Sequence, residues 1–245
     1  MKKENGIKMF LRTTYQTGSP IPYIISFQIF VFILIHIADL LVDLGVIQFP
    51  LYDWLLSNLT LPNSFSAFIL KPWTLLTYPF VYIGLFNIVF DCLWLYWMGS
   101  TFLNFLNKRQ LMTVFLWAFA ISGISFLALS EINFLAKGPI PYLFSNSMGL
   151  AAIVASLLVL TPKMEIRLFL FGIVKFRTIA IIFLALQLLF YVFANRAAAA
   201  AFPLAILWGM TFMYQLQAGR DLSKLFVYQP KKKLRVLHSV KKRPT

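Results

Sequence analysis

Leu143-Phe-Ser-Asn-Ser-Met-Gly-Leu-Ala-Ala-Ile-Val-Ala-Ser-Leu-Leu-Val-Leu160 carries no charge and is apolar along most of its length. Within it Ser147, Ala151 and Ala155 recur every four residues, and Gly149, Ala152 and Ser156 add further small side chains. Small residues four apart let helix backbones approach closely in lipid, where packing rather than exclusion of water drives association. The stretch therefore reads as a membrane helix at the centre of a bundle. Ala201, Ala205 and Gly209 repeat the spacing further along, which predicts that a later helix packs against this one. The alanine run Ala197 to Ala201 has a second reading, low complexity without function.

The rest of the chain needs the same solvent. Of 245 residues, 60% are hydrophobic and 12% charged, too apolar for a water-soluble domain. A spanning helix needs about 20 mostly apolar residues to cross roughly 30 Å of hydrocarbon. Six segments meet that requirement: Tyr23 to Val46, Phe80 to Phe102, Leu111 to Ser130, Leu143 to Leu160, Thr178 to Ala194 and Ala197 to Gln217. The expected fold is an all-α, six-helix membrane bundle over residues 23–217, between a basic segment 1–22 and a basic tail 218–245. The connection Ile47 to Thr77 is semi-apolar, with Leu51, Trp54, Leu55, Leu59, Phe65, Phe68 and Ile69, and predicts one or two interfacial helices sunk into the outer leaflet. In Met1 to Ser19, Ile7, Phe10 and Leu11 are spaced for a short helix on the membrane surface, and no secretory signal peptide is expected there.

Lysine and arginine set the orientation. With the N-terminus inside, the cytoplasmic segments hold four, two, four and nine of them, and the other side holds only Lys71, Lys137 and Arg196. A multi-pass protein of the plasma (inner) membrane with both termini cytoplasmic follows, and six spans keep the nine-charge tail inside. The net charge of +14 thus reads as loops beside anionic lipid, not as a nucleic-acid face. Cys92 is the single cysteine and lies in an apolar run, which excludes an intrachain disulfide and a thiolate metal cluster. No metal and no cofactor are expected.

Three stretches resemble the rhomboid intramembrane serine proteases. Trp73-Thr-Leu-Leu-Thr-Tyr leads into Leu85-Phe-Asn-Ile-Val-Phe-Asp-Cys-Leu-Trp-Leu-Tyr-Trp-Met-Gly99, similar to the family's His-x-x-x-Asn helix. Ser145-Asn-Ser-Met-Gly149, followed by Pro162 and Glu165-Ile-Arg-Leu-Phe, resembles its Gly-x-Ser-Gly helix and the turn after it. Ala201-Phe-Pro-Leu-Ala205-Ile-Leu-Trp-Gly209 is similar to its Ala-His-x-x-Gly-x-x-x-Gly sixth helix. The resemblance implies a rhomboid-like six-helix bundle with Ser147 at the position of the nucleophile.

The same resemblance exposes the departures. A hydroxyl is a poor nucleophile without a base to take its proton, and Phe202 stands where the family has its histidine. Asn87 and Asp91 replace the oxyanion helpers, and a carboxylate there opposes a developing negative charge. Tyr82 replaces an upstream histidine, Met148 the glycine after the nucleophile, and Thr74 an arginine. His36 lies on the first segment and His238 in the tail, so neither offers a replacement base. The resemblance implies a pseudoprotease, not an enzyme, whose vestigial positions are Ser147, Phe202, Asn87 and Asp91.

Charged groups inside a membrane are costly and so mark candidate sites. Asp91 sits at a former active-site position and is expected to hydrogen-bond Ser147 or Asn146. His36, Asp39 and Asp43 share a face of the first segment; they read as interfacial and packed groups, or alternatively as a proton or ion path. Trp94, Tyr96 and Trp97 read as packing or interfacial belt. Lys231, Lys232, Lys233, Arg235, Lys241, Lys242 and Arg243 in the tail are expected to bind anionic lipid or a cytoplasmic partner such as a ribosome. The function expected is binding of transmembrane segments of other integral membrane proteins, as a complex subunit or a client-handling factor. Asn87, Asp91, Asn146 and Ser147 are the candidate contacts. Two alternatives stand beside it: a protease with a non-standard base for Ser147, and a small ion or proton transporter.

Overall fold

A computed structural model describes residue 15 and residues 18–135, 138–168 and 172–226. The expected surface helix through Ile7, Phe10 and Leu11 and the basic cluster Lys231 to Arg243 lie outside those residues.

Six long helices stand at the six positions expected from the sequence. They are α1 (Ile21–Asp43), α5 (Leu85–Phe105), α6 (Lys108–Ser130), α7 (Ser147–Leu160), α8 (Phe176–Ala194) and α9 (Arg196–Gln217). Three short helices, rather than one or two, fold the first connection: α2 (Leu51–Leu59), α3 (Phe65–Leu70) and α4 (Thr74–Thr77). Two small antiparallel pairs complete the described chain, β1 (Leu61–Pro62) with β2 (Tyr142–Leu143) and β3 (Glu165–Leu168) with β4 (Gly172–Lys175).

Four helices, α1, α6, α8 and α9, are individually long and apolar enough to cross a membrane. The other two differ from the sequence expectation, α5 in where it begins and α7 both in where it begins and in length. α5 begins at Leu85, not at Phe80; its 21 residues suffice in length, and it forms a broken candidate span with Thr74–Phe80, from which it is bent by 93°. α7 has 14 residues, about 21 Å at 1.5 Å per residue and too short for roughly 30 Å of hydrocarbon. It begins at Ser147, not at Leu143, because Leu143 is held extended against Leu61 and Ser145 adopts a left-handed φ of 75°. The chain thus turns into the helix only at Ser147. This places a serine hydroxyl at a helix start inside the bundle instead of at its surface.

α7 is the centre of the bundle. Every residue from Ser147 to Leu157 is buried, and the helix packs on α9, α6, α5 and α8. The expected contact with α9 is present, and Ala152 and Ser156 take part in it. A side-chain carbon added at Gly209 would lie 2.2 Å from the Ala152 carbonyl oxygen, and the Ser156 hydroxyl is 2.9 Å from the Gly209 carbonyl. On the other flank, a carbon added at Gly149 would meet the rings of Phe119 and Phe115 at 2.6 and 2.7 Å. Two large aromatic side chains fit against the helix axis because glycine leaves room for them. Trp208 donates its indole N–H to the Val114 carbonyl, joining α9 to α6.

At the end of the bundle where α6 begins, Asn107 and Gln110 form a capping box that pairs two otherwise unsatisfied backbone groups. Asp221, just past α9, docks onto that helix start. Partial desolvation alone would raise its pKa. Hydrogen bonds from the Ser223 hydroxyl and N–H and from Gln110, with the Arg109 guanidinium 3.6 Å away, outweigh that and hold it below the ordinary carboxylate value. A depressed pKa means that the tie is fully present above the unfolded value of about 3.9 and is lost as pH falls through the folded one. Faster amide hydrogen exchange at Leu222–Phe226 is therefore expected as pH drops below about 3.9, after correction for the intrinsic rate. Asp221→Asn should remove that step.

Candidate functional site in the bundle interior

Asp91 is the seventh residue of α5, about 9 Å along the axis from its start. It is 3% exposed. The Ser147 hydroxyl donates to its Oδ2 at 3.0 Å and the Tyr82 hydroxyl to the same oxygen at 3.2 Å. Gln187, from α8, donates to Oδ1 at 3.4 Å. One carboxylate thus joins α5, α7, α8 and the turn before α5. Tyr82 also accepts the Asn146 backbone N–H at 3.1 Å, and the Ser145 and Ser147 hydroxyls are 2.9 Å apart. Burying a polar group without partners costs about 1–3 kcal/mol, so this network converts the burial of Asp91, Tyr82, Ser145 and Ser147 into a specific arrangement.

Beside the network lies a cavity of about 580 Å³, walled by α5 on one side and α8 on the other, with Ile140 to Ser145 closing it. Asn87, Asp91 and Ser147 line it together with Gln187, Tyr191 and Asn195. The remaining wall is almost entirely apolar, and exposed Phe86 and Phe193 belong to it, so the cavity reaches the outer surface of the bundle. Its two walls touch where the ring of Phe183 stacks on Trp94 with centroids 4.1 Å apart and lies near Phe90.

Four expected site residues separate at this point. Asn87, Asp91 and Ser147 share the cavity, whereas Asn146 does not line it. Its side chain is fully enclosed, with both amide atoms unpartnered among the described residues. Phe202 is fully buried, and its ring centroid is 5.5 Å from that of Tyr191. Its benzyl ring neither accepts nor donates a proton. The two ring nitrogens of His36 lie 2.9 Å from the Phe32 carbonyl oxygen and 3.1 Å from the Ile83 carbonyl oxygen, so the side chain joins α1 to the turn before α5. Asp39 is half-buried on α1, Asp43 is exposed at its last turn, and neither lines the cavity.

The model of the rhomboid domain matches residues 70–217, from the end of α3 through the whole of α9. The chain belongs to the rhomboid family. A search of the curated proteins finds no match to it. The matched rhomboid region contains every residue of the network and of the cavity. Within it the hydroxyl of Ser147 hydrogen-bonds the Asp91 carboxylate and the Ser145 hydroxyl, and no histidine among the described residues. Reading the sequence missed Gln187 and Tyr191. A lone glutamine in an otherwise apolar segment was the available signal for the first. The second was indistinguishable from an ordinary aromatic of a membrane helix.

Proposed function

We propose that this rhomboid-family protein is catalytically inactive and receives a transmembrane segment of a partner or client in the cavity between α5 and α8. It would do so as a subunit of a membrane complex or as a membrane-protein handling factor, in a plasma membrane with both termini in the cytoplasm. The observation that carries this reading is the shape and lining of the cavity. It is apolar enough to replace lipid around a helix, it opens toward the membrane-facing surface, and it holds a few fixed polar groups that could orient an occupant. Inactivity is supported by Phe202 and by the place of His36, whose ring nitrogens face the Phe32 and Ile83 carbonyls and not Ser147, since a missing general base removes orders of magnitude in rate. The distribution of lysine and arginine supports the orientation.

The test is co-purification in mild detergent through a tag. Asn87→Ala combined with Ser147→Ala should reduce recovery of stoichiometric membrane partners by about tenfold, the effect of losing one or two hydrogen bonds at a binding site. Unchanged recovery would move the interface elsewhere on the bundle.

One observation favours a second reading. The Asp91 carboxylate is within proton-transfer distance of the Ser147 hydroxyl, which makes it a candidate non-standard base for proteolysis. Against this, the same carboxylate also occupies the region where an oxyanion would need donors. A fluorophosphonate probe separates the two. No labelling above that of Ser147→Ala is expected, and stoichiometric labelling of Ser147 would establish an active serine. The ion-transport reading gains no support from the positions of Asp39 and Asp43.

A further inference from the structure

Resting on the client-binding reading, we propose that the cavity selects segments carrying a basic side chain, lysine or arginine, within their apolar length, and that Asp91 is its acceptor. The chain has a net charge of +14, yet among the described residues the cavity wall contains no lysine, arginine or histidine. The one acidic or basic side chain among those lining residues is Asp91. The two oxygens of that carboxylate are unequally used: Oδ2 takes both Tyr82 and Ser147, and Oδ1 takes only the 3.4 Å bond from Gln187. A carboxylate has about four acceptor sites, so Oδ1 retains capacity on the α8 side, where the cavity lies.

A second group in the same wall is also short of a partner. The Tyr191 hydroxyl belongs to the cavity lining, the residue is 8% exposed, and the oxygen makes no hydrogen bond of ordinary length among the described residues, the Ser145 and Ser147 hydroxyls being its polar neighbours. Buried polar groups left unpaired in a native fold call for an explanation. A wholly apolar client would leave both acceptors as they are. An ammonium or guanidinium supplies several donors at once and balances the buried negative charge. The selection works in both directions, because a basic side chain in hydrocarbon is itself costly and is relieved by an acidic partner. Asp91 lies about 9 Å inside the helix start, so the favoured residue sits well inside the segment and not among its flanks.

The experiment uses the full-length protein in lipid nanodiscs and three synthetic single-span peptides with a photoreactive group. They are identical except for one residue at the depth of Asp91: lysine, glutamine or leucine. Capture of the lysine peptide is expected to exceed that of the other two at least tenfold, in line with the strength of hydrogen bonds to charged groups. Asp91→Asn, nearly the same in shape and still able to accept from Tyr82 and Ser147, should bring capture of the lysine peptide down to that of the glutamine peptide. Equal capture of lysine and leucine peptides by the unaltered protein would overturn the proposal while leaving the client-binding reading intact. Equal capture of lysine and glutamine peptides would overturn selection by charge. Capture of none of the three would overturn the client-binding reading itself. Should Asp91→Asn fail to fold, the unaltered protein still decides, together with Tyr191→Phe, which is expected to lower capture of the lysine peptide severalfold.

Discussion

Gly209→Ala is expected to destabilise the bundle by about 3 kcal/mol or more, at the upper end of what one added methyl costs in a packed interior. The new carbon would lie 2.2 Å from the oxygen, 2.8 Å from the carbon and 2.9 Å from the Cα of Ala152. All three are backbone atoms, so no rotamer change can make room and α9 must move off α7. That motion would also strain the hydrogen bond of Ser156 to the Gly209 carbonyl. Total stabilities of about 5–15 kcal/mol leave little margin for such a loss. Thermal unfolding in detergent measures it. Gly84→Ala is the control: the added carbon would meet only the Asn87 side chain, at 3.6 Å, and should cost less than about 1 kcal/mol.

Asp91→Ala is expected to cost about 2–5 kcal/mol, because it strands buried donors on Tyr82, Ser147 and Gln187 at the same time. Asp91→Asn keeps a carbonyl oxygen for the first two and should recover more than half of that loss. Chemical or thermal unfolding of the two variants side by side checks this. A loss of equal size in both would mean that the charge, not the acceptor geometry, holds α5, α7 and α8 together.

The all-helical bundle was legible because apolar length and small-residue spacing are properties of contiguous sequence. Ser147, Ala151 and Ala155 announce a central helix, and Gly209 announces its partner, without any knowledge of the fold. The start of α7 was not legible. It depends on Leu143 pairing with Leu61, a contact between residues 82 positions apart, and on a left-handed serine that no local pattern marks. The apolar run therefore looked longer than the helix it contains. The same limit applies to α5, where the apolar stretch continues through Phe80 but the bend at the preceding turn does not register in hydropathy.

At the site, Asp91 and Ser147 were separable from the background because polar groups in apolar runs are conspicuous, and the resemblance to the rhomboid helices put them near each other. Asn146 looked equivalent to its neighbour by sequence, but a helix start directs successive side chains along different bearings, and this one points away from the cavity lining. Gln187 and Tyr191 enter only through the packing of α8 against α5, which is set by tertiary contacts such as the Trp94 and Phe183 stack.

The most direct test of the central claim is site-specific photo-crosslinking in native membranes, with a photoreactive residue at Leu186 or Phe190 in the cavity wall and at Phe30 on the exposed face of α1. The account expects adducts with the transmembrane segment of another membrane protein at the two cavity positions, competed by an added single-span peptide, and only lipid adducts at Phe30. Protein adducts of equal yield at all three positions, or lipid alone at the cavity, would contradict it.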